Sequence, residues 1–275
     1  MSGRNYYYLV AGLPDLAMEQ AKVKGTLQEL LIELKQYLHP ADYRLVERLF
    51  WPIDHDNVYH LLLKTGEPFK AGGRFSTDEL EEEIKNPTRV PAYVAHFIHA
   101  YKNNEPLWPE LSWEDQLTAL YLNEMCQSPN RFLRQWFSFE RNLRNVLAAL
   151  TARKFKMEVS KVIVGDDEIS KAIARSHTRD FGIADEFPMV EKILQVFEIN
   201  ALAEREKNLD ILRWNYLDEL NTFNYFSIEV ILAFLIKLQI VQRWIALDPK
   251  AGAEIFRRLL HDLENSYEFP KEFTK

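Results

Sequence analysis

Apolar residues recur at steps of three and four through Phe132, Trp136, Phe139, Leu143, Leu147 and Leu150, the spacing that lines one side of an α-helix. The stretch from Ser128 to Lys154 therefore predicts one long helix, with Ser128 as its cap and Pro129 in its first turn. Away from the stripe stand Arg134, Arg141, Arg144 and Asn145, donors suited to holding a partner or to facing water. None of these residue types is a nucleophile.

The same period runs through most of the chain. Leu13-Pro14-Asp15 opens a segment through Leu27, Leu30, Leu31, Leu34 and Leu38, weakened at Gly25, and His39-Pro40 breaks it and starts another through Val46, Leu49 and Phe50. Ser76 with Glu79 forms a capping box before Leu80 and Ile84. Pro91 begins a helix through Val94, Phe97, Ile98 and Tyr101, and Ser112 with Asp115 opens one through Leu117, Leu120 and Met125. Asp166 starts a helix with Ile169 and Ile173, Asp185 one through Val190, Leu194 and Phe197, and a long segment follows to Tyr216 and Leu220. Ser227 caps an apolar helix, and Asp248-Pro249 opens a last one through Ile255, Leu259 and Leu260. Two places leave room for another structure. Tyr6 to Val10 has the tyrosines and β-branching of a strand but also suits a short helix, and Val162 to Val164 reads equally as turn or strand. The expectation is a single all-α domain over 1–275, with lobe boundaries near 102–110 and 156–166.

Composition narrows the class. A formal net charge of −7 argues against a general nucleic-acid binder. The single cysteine, Cys126, has no partner for a disulfide or a thiolate metal site, which fits a reducing cytoplasmic compartment. The amino terminus lacks the basic start and apolar run of a secretion signal. The most apolar segment, around Val230 to Ile236 and on past Lys237 to Leu247, is too short and too charged to cross a bilayer. With 17 Phe, 12 Tyr and 6 Trp the chain is rich in aromatics. Most belong in a core, while Trp108, Trp113 and Tyr225-Phe226 are candidates for an exposed contact surface.

Candidate chemistry is sparse. His96 and His99 share a helix side and supply half of a metal site. Asp54-His55-Asp56 has the look of a helical phosphohydrolase pair, or of an acidic helix amino terminus, with His39, His60, His177 and His261 as further histidines. Gly72-Gly73-Arg74 lacks the Lys-Ser/Thr of a nucleotide loop and reads as a turn. The acidic runs Glu81-Glu82-Glu83 and Asp166-Asp167-Glu168 suit helix starts or solvent.

One stretch carries a resemblance. Phe139-Glu140-Arg141-Asn142-Leu143-Arg144-Asn145-Val146, then Leu150 and Arg153-Lys154, then Val162-Ile163-Val164-Gly165, resembles the pattern of the C subunit of V-type and A-type ATPases, called the d subunit in eukaryotes. Ser227 to Leu235, continuing through Arg243 to Leu247 and Ile255 to Leu260, is similar to that family's closing helices, and Tyr6 to Leu13 echoes its tyrosine-rich start. The chain also resembles a bacterial family, found in Bacteroidetes and relatives, encoded among V-type ATPase genes. The last long helix departs from the C-subunit pattern around Leu238 to Trp244, and the chain is shorter than typical members. The resemblance implies a three-lobed, funnel-like helical body with no active site and no cofactor, peripheral to the membrane. Such a subunit transmits torque between the central-shaft subunits and the membrane rotor ring. On this reading Arg134, Arg141, Asn142, Arg144, Asn145 and Arg153 hold an interface or pack the lobes. The competing readings are a helical adaptor of another complex and a metal-dependent phosphohydrolase built on His55, Asp56, His96 and His99.

Overall fold

Among the described residues every regular element is a helix, as the three-and-four spacing predicts. The structure is a computed structural model and describes residues 4–18 and 27–247. Along the chain these are α1 (Tyr7–Gly12), α2 (Leu27–Tyr37), α3 (Pro40–Leu63), α4 (Thr77–Lys85), α5 (Ala92–Asn103), α6 (Trp113–Cys126), α7 (Arg131–Lys154), a 3-10 turn (Val159–Val162), α8 (Glu168–Arg175), α9 (Val190–Phe197), α10 (Leu202–Asn221) and α11 (Ile228–Ala246). No strand occurs among the described residues. Tyr6 to Val10 is thus helical from Tyr7, and the Val162 to Val164 segment is the end of a 3-10 turn followed by extended chain. The helix expected from Leu13 begins, in the described residues, only at Leu27. Gly25 and the helix expected after Asp248 lie outside the described residues, as does His261.

Capping sets the helix starts. Ser76 accepts from the Glu79 N–H while Glu79 reaches back to the Ser76 N–H, a complete capping box for α4. Ser112 accepts from the Asp115 N–H at the start of α6. The start of α7 differs from the expectation. Asn130, not Ser128, caps it, accepting from the Leu133 N–H at 3.0 Å, and Pro129 precedes the helix. Two other starts also shift. Asp167 rather than Asp166 caps α8, and α9 begins at Val190 after a run of turns that includes Asp185.

The chain divides into two units at Leu38/His39 and Phe223/Asn224. Neither division falls in 102–110 or 156–166, both of which lie inside the larger unit. Within that unit α7 packs on α6, α8, α9 and the 3-10 turn, α6 extends to α5 and α3, α3 to α4, and α9 to α10. Phe132, Leu133, Trp136, Phe137, Phe139, Leu143 and Val146 of α7 are buried, each side chain of this size contributing about 1.5–3 kcal/mol. Phe139 stacks on Tyr216 of α10, with ring centroids 4.2 Å apart. In the smaller unit α11 is apolar on most sides and buries Ile231, Leu232, Leu235, Leu238 and Val241. The Tyr6 N–H donates to the Phe226 carbonyl at 2.6 Å, and Tyr7 lies against the Phe226 ring.

Pro52 sits inside α3. It has no N–H to give the carbonyl of Arg48 one turn back, and the Tyr121 hydroxyl of α6 donates to that oxygen instead, at 2.9 Å. A defect in one helix is thereby the docking point of another.

Candidate functional site

The donors of α7 are held within the chain. Arg134 gives its Nη1–H to the Ser128 carbonyl at 2.7 Å, tying the α6–α7 connection to the helix. Arg144 pairs with Asp115 of α6 at 2.6 Å on an exposed face. Arg153 donates to the Thr178 and Ser176 carbonyls at 2.7 and 2.8 Å and lies over the Phe181 ring at 4.0 Å. Burial pulls its pKa down. Segments distant in sequence thus meet one helix through its guanidinium groups.

The tightest knot lies at Arg141 and Asn145. Asn145 is fully buried, donates to the Val164 carbonyl at 2.7 Å and accepts from the Val164 N–H at 2.9 Å, pairing with that residue as a neighbouring strand would. It also donates to Ser170 Oγ at 3.2 Å. Arg141, nearly buried, pairs with Asp167 at 2.6 Å. Between them Gly165 has a φ of +101°, which favours glycine, and a Cβ there would crowd Ser170, Arg141 and Asp167. Asn142 takes no part: it is buried, and among the described residues its Oδ1 has no hydrogen-bond partner, as with Arg141 Nε and Ser128 Oγ. The structure thus brings Arg141 and Asn145 together, places Arg134, Arg144 and Arg153 at separate points along α7, and gives Asn142 no share in the knot.

Cys126 is half-buried, and burial pushes its thiol upward. Midway along α10, Arg213 joins Glu140 of α7 at 2.8 Å and the fully buried Asp210 at 3.0 Å. Burial opposes the Arg213 charge, and the two carboxylates more than offset it. Sequence reading missed this bridge, because nothing in the spacing of Glu140 and Arg213 brings them together.

A second cluster lies on α3. Asp54-His55-Asp56 sits mid-helix, not at an amino terminus. Asp54 accepts from the Arg74 and Phe75 N–H groups at 2.9–3.3 Å. Burial pushes its carboxyl above the ordinary value against the pull of those bonds. Asn57 pairs with both the N–H and the carbonyl of Lys70, at 2.8 and 2.9 Å, and Asp56 holds the Lys70 ammonium at 2.6 Å. Gly73, the expected turn, passes so close to Asp54 that a Cβ would collide with its carboxylate. His55 shares a 2.6 Å hydrogen bond with the Tyr93 hydroxyl and packs edge-on against Tyr93 and Tyr121. Burial pushes it down to about 3, so the ring is neutral.

Beside it is a crevice of about 10 Å³ lined by Trp51, Asp54, His55, Phe75 and Val94, room for about one water and not for a substrate. His96 and His99 are both exposed. Among the described residues no three His, Cys, Asp or Glu side chains come together as a metal site, so the residues of the phosphohydrolase reading do not converge.

The exposed apolar side chains of the smaller unit are largely aromatic: Tyr7, Tyr8, Tyr37, Tyr225 and Phe226. Tyr225 and Phe226 are the pair expected on such a surface. Tyr8 meets Tyr37 with ring centroids 5.5 Å apart. Trp108 and Trp113 are half-buried, Trp113 lying edge-on to Phe97 and Tyr101.

The model of the family described as "Protein of unknown function (DUF2764)" matches residues 3–267, and the chain belongs to that family. An uncharacterized protein of Chlamydia muridarum (strain MoPn / Nigg) is 23% identical over 146 residues, covering 51% of this chain and 53% of that protein. No solved structure matches the chain.

Proposed function

We propose that this DUF2764 protein is a non-catalytic central-stalk subunit of a rotary V/A-type ATPase, coupling the shaft to the membrane rotor ring from the cytoplasmic side. The observation that carries the reading is the junction at Val164. The separated parts of the stretch that resembles the C subunit of those ATPases, Glu140 to Val146 on one side and Val162 to Gly165 on the other, are bonded to each other through Asn145. Arg153, the third part, fixes the loop after α8.

A torque-transmitting body must resist shear, and α7 braces α6, α8 and the following loop by hydrogen bonds and ion pairs beyond apolar packing. The aromatic surface of the smaller unit is of the kind enriched at interface centres. Among the described residues no helix is long and apolar enough to cross a membrane, so on this reading attachment to the ring runs through the partner subunits.

Affinity capture of the tagged protein from its native membranes in mild detergent tests the reading. Recovery of shaft and ring subunits by mass spectrometry is the expected outcome. Their absence from a preparation in which the ATPase is intact would falsify it. A Tyr8→Ser/Tyr225→Ser variant, altered only on the exposed surface, is expected to keep its fold and lose capture of at least one of these partners.

A further inference from the structure

The carboxyl end of α7 carries exposed apolar side chains among cations. Phe155 is 67% exposed and Met157 57% exposed, side by side with the exposed Lys154 and Lys156. The Arg153 bonds to Ser176 and Thr178 bring the end of α8, with Arg175, to the same tip. Segments 153–161 and 175–180 hold six Lys and Arg against two carboxylates, in a chain whose formal net charge is −7.

Those cations differ in what they do. Lys161 is engaged by Glu110 and Glu158, Arg179 by Glu198, and Arg153 by the loop carbonyls. Lys154, Lys156 and Arg175 are exposed and make no ion pair among the described residues. Among the described residues nothing covers these two large apolar side chains or pairs with the cations beside them.

We propose that this tip docks on an anionic lipid surface, with Phe155 and Met157 entering the headgroup layer and Lys154, Lys156 and Arg175 against lipid phosphates. Apolar side chains flanked by basic ones suit the boundary between headgroups and acyl chains, where the ring or thioether is buried and the long cationic stems reach outward. The overall negative charge does not prevent this, because salt screens charges beyond roughly 8–10 Å and only the local patch meets the surface. An acidic protein segment would account for the lysines but gives no reason for the flanking apolar pair to be free of a groove. With each basic side chain near an anionic surface adding about fivefold to partitioning, three such groups make a reversible contact and not an anchor.

The contact does not require the rotary reading, and the test uses the full chain and lipid alone. In flotation assays the protein is expected to bind vesicles of phosphatidylcholine with phosphatidylglycerol, to release at high salt, and to ignore phosphatidylcholine alone. Lys154→Gln/Lys156→Gln is expected to weaken binding by roughly twentyfold, and Phe155→Ser/Met157→Ser by roughly tenfold or more. All four positions are exposed, so unchanged thermal melts accompany these losses. No binding to anionic vesicles, binding indifferent to both double variants, or capture of polyglutamate with no vesicle binding overturns the proposal.

Discussion

The helices α3 and α7 are both 24 residues long, and each uses an asparagine to hold a distant loop by both backbone groups of one residue, Asn57 on Lys70 and Asn145 on Val164. They differ in everything around that bond. On α3 the neighbours are acceptors and a neutral histidine, so the loop after it presents N–H groups to Asp54. On α7 the neighbours are arginines, and the loops present carbonyls to Arg134 and Arg153 or a carboxylate to Arg141. The α3 brace is therefore exposed to changes in protonation. On the α7 side the positive charge is fixed, since guanidinium groups do not titrate in the ordinary range.

Removing the charge that α10 brings to α7 should give the largest effect. Arg213→Ala takes one charged partner from the fully buried Asp210 and from Glu140, and urea denaturation is expected to show a loss of about 3–5 kcal/mol. Next, Asn145→Ala leaves the buried Val164 N–H without its acceptor and the Val164 carbonyl with the Ser170 hydroxyl alone, for a loss of about 1–3 kcal/mol, whereas Asn57→Ala should lose about half as much because the Lys70 backbone is only partly buried. Equal losses at the two asparagines would erase the distinction between the braces.

The titration prediction falls on α3. The folded pKa of His55 lies below its ordinary 6.5, at about 3. Its contribution is therefore fully present above pH 6.5 and drains as pH falls from 6.5 toward about 3, at up to ~1.4 kcal/mol per pH unit. Denaturation midpoints measured across that window should fall, and His55→Gln, which keeps a hydrogen bond to Tyr93, should flatten the slope. The smallest effect belongs to Arg144→Ala. Its pair with Asp115 is exposed, and a change of no more than ~0.5 kcal/mol is expected in the same assay.

The all-helical class was legible because helical spacing needs only neighbouring residues, and Ser76, Ser112 and Pro91 marked real starts for the same local reason. Asn130 displaced Ser128 because the cap is settled by where the α6–α7 connection leaves the chain, with Arg134 already holding the Ser128 carbonyl. The donors of α7 could be picked out but not their use. Whether Asn145 meets a partner or Val164 depends on a loop nineteen residues on, and such bonds leave no periodic trace. Tyr121 filling the gap left by Pro52 is the same kind of fact, a pairing of two residues from different helices. The division of the chain was not legible either, because a loop rich in proline or glycine marks a turn, and a turn is not a division when helices on both sides pack on α6 and α7.

The division at Leu38/His39 and Phe223/Asn224 has a consequence for biogenesis. The smaller unit takes α1 and α2 from before the larger one and α11 from after it. During synthesis α1 and α2 emerge before α11, and the contacts of Tyr6 and Tyr7 with Phe226 cannot form until the whole of His39–Phe223 has been made. The larger unit is continuous and can collapse as it leaves the ribosome, which shortens the tether between α2 and α11 and lowers the entropy of closing it. A stall or truncation before Asn224 therefore releases a chain whose Tyr6 and Tyr7 lack Phe226, a natural substrate for chaperones.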